Sequence, residues 1–68
     1  MDNKIKELRS QRGWSQEALS EKLKVSRQTI VSLESRRYYA SLVLAHKIAQ
    51  LFEMRIEDIF IFEGDENL

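Results

Sequence analysis

The chain has no cysteine, no proline, only two glycines and a single histidine, and its apolar runs are only a few residues long. Without cysteine there is no disulfide, no thiolate metal ligand and no thiol nucleophile, and His46 alone cannot build a histidine metal cluster. No run approaches the roughly 18 apolar residues that span a bilayer, and the N-terminus is polar and mixed in charge where a signal peptide would be apolar. The expectation is a soluble, cytoplasmic, unprocessed protein with no membrane partner. A paired histidine and nucleophile and a glycine-rich phosphate loop are also missing, so no enzyme activity, cofactor, metal or small-molecule site is expected. With no proline, repeat or low-complexity segment, residues 1–68 read as one domain without linkers.

What is present is charge, and it is unevenly placed. The net charge is zero over 68 residues. Residues 1–40 nevertheless hold nine Lys or Arg against five Asp or Glu (+4), and residues 41–68 hold two against six (−4). A basic front and an acidic end describe a molecule with one face for phosphate and another turned away from it.

Apolar spacing predicts five helices. The first runs from about Asn3 to Arg12, with Ile5 and Leu8 on one face, and Gly13 is placed to end it in a left-handed turn with Trp14 folding back into the core. Ser15 caps a second, Gln16 to Leu23, with Ala18, Leu19 and Leu23 inward. Ser26 caps a third, Arg27 to about Ser35, with Ile30 and Leu33 inward. The fourth, about Ser41 to Phe52, carries Leu42, Ala45, Ile48, Ala49 and Phe52 on one stripe and leaves Val43 and His46 outside. A short fifth covers about Ile56 to Phe60, with room for a short strand at the C-terminal end. The fold class is all-α.

Only about three residues separate the second and third helices, too few for them to lie antiparallel along their lengths, so they must cross steeply. Leu19, Leu23, Val25, Ile30 and Leu33 suit the inner faces of such a crossing, and Ser20 is small enough for a close approach of backbones. This is helix-turn-helix spacing, with its core at residues 16–35. The outward face of the third helix then presents Arg27, Gln28, Val31 and Ser32, with Thr29 beside them. Arginine can donate two parallel hydrogen bonds to guanine O6 and N7, and glutamine can pair twice with adenine. A serine hydroxyl suits either strand, and a valine methyl suits thymine. Together with the free N–H groups of a helix start, these side chains suit the major groove of double-stranded DNA.

The stretches IKELRSQRGWSQEALSEKLKVSRQTI, LE at Leu33 and Glu34, SLVLAHKIAQLF and IEDIF resemble the Cro/C1-type helix-turn-helix family, also called the XRE family, of bacterial, archaeal and phage transcriptional regulators. The resemblance covers about residues 4 to 60. It implies a five-helix, lambda-repressor-like domain that binds a pseudo-palindromic operator as a homodimer. Position by position, it implies that Gln16 contacts phosphate and orients the reading helix, that Arg27, Gln28 and Ser32 touch base edges, and that Thr29 and Arg37 lie near the sugar-phosphate backbone. Ser26 and Lys24 join them as expected backbone contacts. Arg9 and Glu34 resemble a family pair that ties the first helix to the end of the third.

Lys24, Arg36 and Glu53 stand where family members usually have glycine, Ala40 where proline is common, and Arg55 where a Ser or Thr cap is frequent. If those three sites are left-handed, each non-glycine residue costs roughly 1 kcal/mol. That is a sizeable sum for a domain of this size, and a partner subunit is the expected compensation. Ile56, Ile59, Phe60, Ile61 and Phe62 are the expected dimer contacts, within a dimerisation and acidic tail segment of about residues 56–68 that also carries Glu63, Asp65 and Glu66. The expected function is a transcriptional regulator, specifically a repressor. The alternative is an antitoxin or other protein-interaction module built on the same domain, with exposed Tyr39 and Val43 or the C-terminal residues as its docking surface.

Overall fold

The computed structural model describes residues 2–61. A two-residue strand β1 (Asp2–Asn3) precedes helices α1 (Ile5–Gln11), α2 (Gln16–Leu23), α3 (Arg27–Glu34), α4 (Leu42–Phe52) and α5 (Ile56–Ile59), and β2 (Phe60–Ile61) closes the order. The expected helices are all present, with α1 shorter at both ends. The C-terminal strand exists too. Its partner, unforeseen in the sequence, is the N-terminus: β1 and β2 pair antiparallel, Asp2 opposite Ile61 and Asn3 opposite Phe60. The Lys4 N–H extends the tie by donating to the Ile59 carbonyl at 2.8 Å.

Local chemistry explains the boundaries. Ser15, Ser26 and Ser41 each accept the backbone N–H of the residue three places on, at Ala18, Thr29 and Leu44, satisfying a donor that the first helical turn leaves free. Three helices end in one shared pattern. The N–H groups of Gly13 and Trp14 return to Ser10 and Arg9, those of Lys24 and Val25 to Glu21 and Ser20, and those of Glu53 and Met54 to Gln50 and Ala49. This is the Schellman arrangement, whose pivot is left-handed and whose next residue is apolar and folds back. Trp14, Val25 and Met54 all do so, packing against the core. The pivots have φ of 70°, 59° and 56°, and Arg36 after α3 has 68°. Lys24, Arg36 and Glu53 therefore hold the conformation that glycine would adopt freely.

The core joins every helix: Ile5 from α1, Leu19 and Leu23 from α2, Ile30 and Leu33 from α3, Leu44, Ala45, Ile48, Ala49 and Phe52 from α4, and Ile59 with Phe60 at the end. The α2–α3 contact is the most extensive between elements. Ser20 is buried in α2 and satisfies its hydroxyl by donating to the Glu17 carbonyl at 2.7 Å.

Two expectations are corrected. Leu42, placed on the buried stripe of α4, is 80% exposed, whereas Leu44 is buried. At 100° per residue the two flank opposite edges of one apolar sector, and Leu42 is the first residue of the helix, where no neighbouring element covers it. Ile59 and Phe60, expected to face a partner subunit, are 0% and 2% exposed and are covered by the chain's own core. Ile56 and Ile61 are partly buried, and Phe62, Glu63, Asp65 and Glu66 lie outside the described residues.

Candidate nucleic-acid interface

Helix α3 has two faces. Ile30 and Leu33 are buried, Arg27 and Gln28 at its opening turn are exposed, and Thr29, Val31 and Ser32 are intermediate. The Ser26 hydroxyl accepts the Thr29 N–H at 3.2 Å and lies 3.0 Å from Thr29 Oγ1. The cap thus fixes the first turn and occupies the Thr29 hydroxyl at the same time.

A chain of polar side chains runs from α1 to this turn. Arg9 Nε and Nη2 donate to Glu34 Oε2 and Oε1 at 2.7 and 3.2 Å, and Arg9 Nη1 donates to the Trp14 carbonyl at 2.8 Å. The side chains of Arg9 and Glu34 are only 13% and 6% exposed, and the hydrogen bonds to Glu34 raise the Arg9 pKa further above its ordinary value. Gln16 Nε2 then donates to Glu34 Oε1 at 3.2 Å, and Gln16 Oε1 accepts from Arg27 Nη2 at 3.4 Å.

The orientation of the Gln16 amide follows from chemistry at both ends. An ionised carboxylate only accepts and a guanidinium only donates, so the NH2 group must face Glu34 and the carbonyl must face Arg27. At 3.4 Å the last contact is long, which steers Arg27 and leaves most of its donors open. The structural tie expected between Arg9 and Glu34 is present, and its extension through Gln16 to Arg27 of α3 is a contact that spacing alone does not reveal.

At the start of α2, Arg9, Ser15, Gln16, Glu17 and Arg27 line an open concavity of about 470 Å³. A larger one of about 570 Å³ lies between α4 and α5, but Glu53, Glu57 and Asp58 outnumber Arg55 in its lining, and the excess negative charge opposes phosphate. Lys24 and Arg37 are exposed, and neither is held in an ion pair among the described residues. The structure thus connects Arg9, Glu34, Gln16 and Arg27, and separately Ser26 and Thr29. Among the described residues, no hydrogen bond or ion pair joins Lys24 or Arg37 to either group.

One neighbour of α3 is not evident from residue spacing. Tyr38, from the segment after α3, lines a small concavity with Gln28, Thr29 and Ser32. The available signal was its place directly after Arg36 and Arg37, where an aromatic follows two cations.

Residues 5–59 match the helix-turn-helix family. The chain is 53% identical over 66 residues to an HTH-type transcriptional regulator of Methanocaldococcus jannaschii, covering 97% of this chain and 100% of that protein. It is 50% identical to an HTH-type transcriptional regulator of Archaeoglobus fulgidus, covering 97% of this chain and 94% of the other. It is 49% identical over 65 residues to the HTH-type transcriptional regulator YgzD of Bacillus subtilis, covering 96% of this chain and 98% of that protein.

Proposed function

The chain belongs to the Cro/C1-type helix-turn-helix family, and from that premise we propose that it is a sequence-specific DNA-binding transcriptional repressor of the cytoplasm. The observation that carries this reading is the Glu34–Gln16–Arg27 chain of hydrogen bonds, which steers Arg27 at the exposed start of α3, next to exposed Gln28. Arg27 reads guanine and Gln28 reads adenine, each through paired hydrogen bonds in the major groove, with Ser32 and Val31 one turn further along. The second Gln16 N–H, not needed by Glu34, points to a phosphate role for that side chain. Ser26, Lys24 and Arg37 act on the sugar-phosphate backbone and set register without reading sequence, and Thr29 lies near that backbone beside Ser26.

The protein acts on its operator as a homodimer, two α3 helices about 34 Å apart each entering one half-site. With Ile59 and Phe60 committed to the core, the apolar surface for that contact comes from Ile56 and Ile61, with Phe62 next in the chain. Sedimentation at micromolar concentration should give a dimer, and a monomer both free and on a palindromic site would remove the dimer from the account. A second reading, a protein-interaction module such as an antitoxin, is favoured by one observation. Tyr39, Leu42 and Val43 are exposed large apolar residues close together in sequence. Selection of bound duplexes from a random library tests the primary reading: enrichment of a two-fold-related motif supports it, and recovery of duplexes without a shared motif refutes it.

A further inference from the structure

Gln28, Thr29, Ser32 and Tyr38 line an open concavity of about 140 Å³ beside the reading helix. Three of these residues belong to α3. The fourth returns to the helix after a turn whose left-handed residue, Arg36, is held by an ion pair with Asp2 at 2.9 Å. The volume is close to the roughly 150 Å³ that accommodates a benzene-sized group, so it can take the edge of one pyrimidine. Its walls differ in character. The hydroxyl of Thr29 is engaged with Ser26, which leaves the Thr29 methyl and the Tyr38 ring as apolar surface. Gln28 and Ser32 contribute an amide and a hydroxyl.

We propose that this concavity is a thymine subsite and that Tyr38 is a specificity-determining residue lying outside the reading helix. In the major groove thymine alone presents an apolar group, the 5-methyl, beside an acceptor, O4. The methyl is buried against the Tyr38 ring and the Thr29 methyl, and O4 accepts from the Gln28 amide or the Ser32 hydroxyl. Cytosine places a donor where the acceptor is wanted and has no methyl to fill the apolar part. This assignment rests on the DNA-reading function and adds a preference for thymine next to the bases read by Arg27 and Gln28.

The test uses a duplex recovered by selection and replaces its thymines one at a time with deoxyuridine, which removes only the methyl. Replacing the thymine of one position in both half-sites together should weaken binding about ten- to fifteenfold, three- to fourfold for each methyl-sized group exposed. Tyr38→Ala should show the same loss on the thymine duplex and no further loss on the deoxyuridine duplex, and Tyr38→Phe should keep the discrimination. The subsite is overturned if no thymine methyl matters to the unaltered protein, or if Tyr38→Ala weakens both duplexes by the same factor, which would mark a sugar or phosphate contact. Because the deoxyuridine series on the unaltered protein can overturn the subsite by itself, the proposal stays falsifiable if Tyr38→Ala fails to fold. A sequence-specific duplex that ignores its thymine methyls removes the subsite while leaving the DNA-reading function intact; no enriched duplex at all removes both.

Discussion

Glu34 accepts from both Nε and Nη2 of Arg9, at 2.7 and 3.2 Å, and it is the point at which the tie between α1 and α3 extends through Gln16 toward the exposed start of α3. With so little of either side chain exposed, removing one partner strands a charge in a poorly hydrated place. Arg9→Ala should therefore lower stability by about 3 kcal/mol. The joint replacement Arg9→Met with Glu34→Leu should cost less than either single change, because neither charge is then left alone. Urea denaturation checks both; single losses below about 1 kcal/mol would place the pair among weak, solvent-screened contacts.

The three left-handed charged residues give a prediction of opposite sign. Glu53→Gly and Lys24→Gly each relieve a Cβ clash while adding freedom to the unfolded chain, for a net gain of roughly 0.5–1 kcal/mol. Thermal unfolding should move up by a few degrees for each, given about 4–8 °C per kcal/mol in a domain of this size. An unchanged or lower melting temperature would show that no strain is stored at the site.

Asn3 joins three parts of the chain. It sits in β1, its Nδ2 donates to the Leu33 carbonyl at 2.9 Å, and its Oδ1 accepts the Ile5 N–H at 3.0 Å. Asn3→Asp keeps the acceptor that starts α1 but loses the donor to the end of α3. Asn3→Ala loses both. Losses of about 1–3 kcal/mol are expected because the stranded groups are buried, with Asp also setting a carboxylate against the Leu33 carbonyl. A neutral Asn3→Ala in chemical denaturation would contradict this role.

Arg55 lacks the side-chain cap expected from a Ser or Thr and instead donates Nε and Nη2 to Asp58 at 3.0 and 3.2 Å. The hydrogen bonds from Arg55, with its charge, hold the Asp58 carboxyl below its ordinary pKa. A depressed folded-state pKa stabilises the fold above the unfolded carboxyl value, and that contribution is lost as pH falls through the lower folded value. Both groups face solvent, so the effect on global stability is small. Arg55→Ala should raise the Asp58 pKa toward that of a free aspartate, read by NMR titration of its side chain; an unmoved titration would mean that Arg55 does not act on it.

Much of this organisation was legible in the sequence because it is local. Serine followed three places later by a backbone donor, an apolar residue after each helix end, and a 3.6-residue apolar period all act within one or two turns. The left-handed sites at Lys24, Arg36 and Glu53 were legible through resemblance, as positions that glycine usually fills. Features that depend on distant cover were not. Leu42 and Leu44 flank opposite edges of one apolar sector on a helical wheel, and only the packing of neighbouring elements decides which is covered. Ile59 and Phe60 close the chain's own core, and the segment carrying them is tied in place by β1, a strand of two polar residues with no periodicity to betray it. At the interface, the Arg9–Glu34 tie was legible by resemblance, whereas its continuation through Gln16 to Arg27 and the wall formed by Tyr38 both depend on how the chain closes in space.

The central claim, that the exposed start of α3 reads bases, is tested most directly by Gln28→Ala. Binding should be measured on the selected duplex and on an unrelated duplex at the same salt concentration, since phosphate contacts make both affinities salt-dependent. Loss of about 1–3 kcal/mol on the selected duplex with little change on the unrelated one is the expected result. Equal weakening on both would contradict base reading and assign Gln28 to the phosphate backbone.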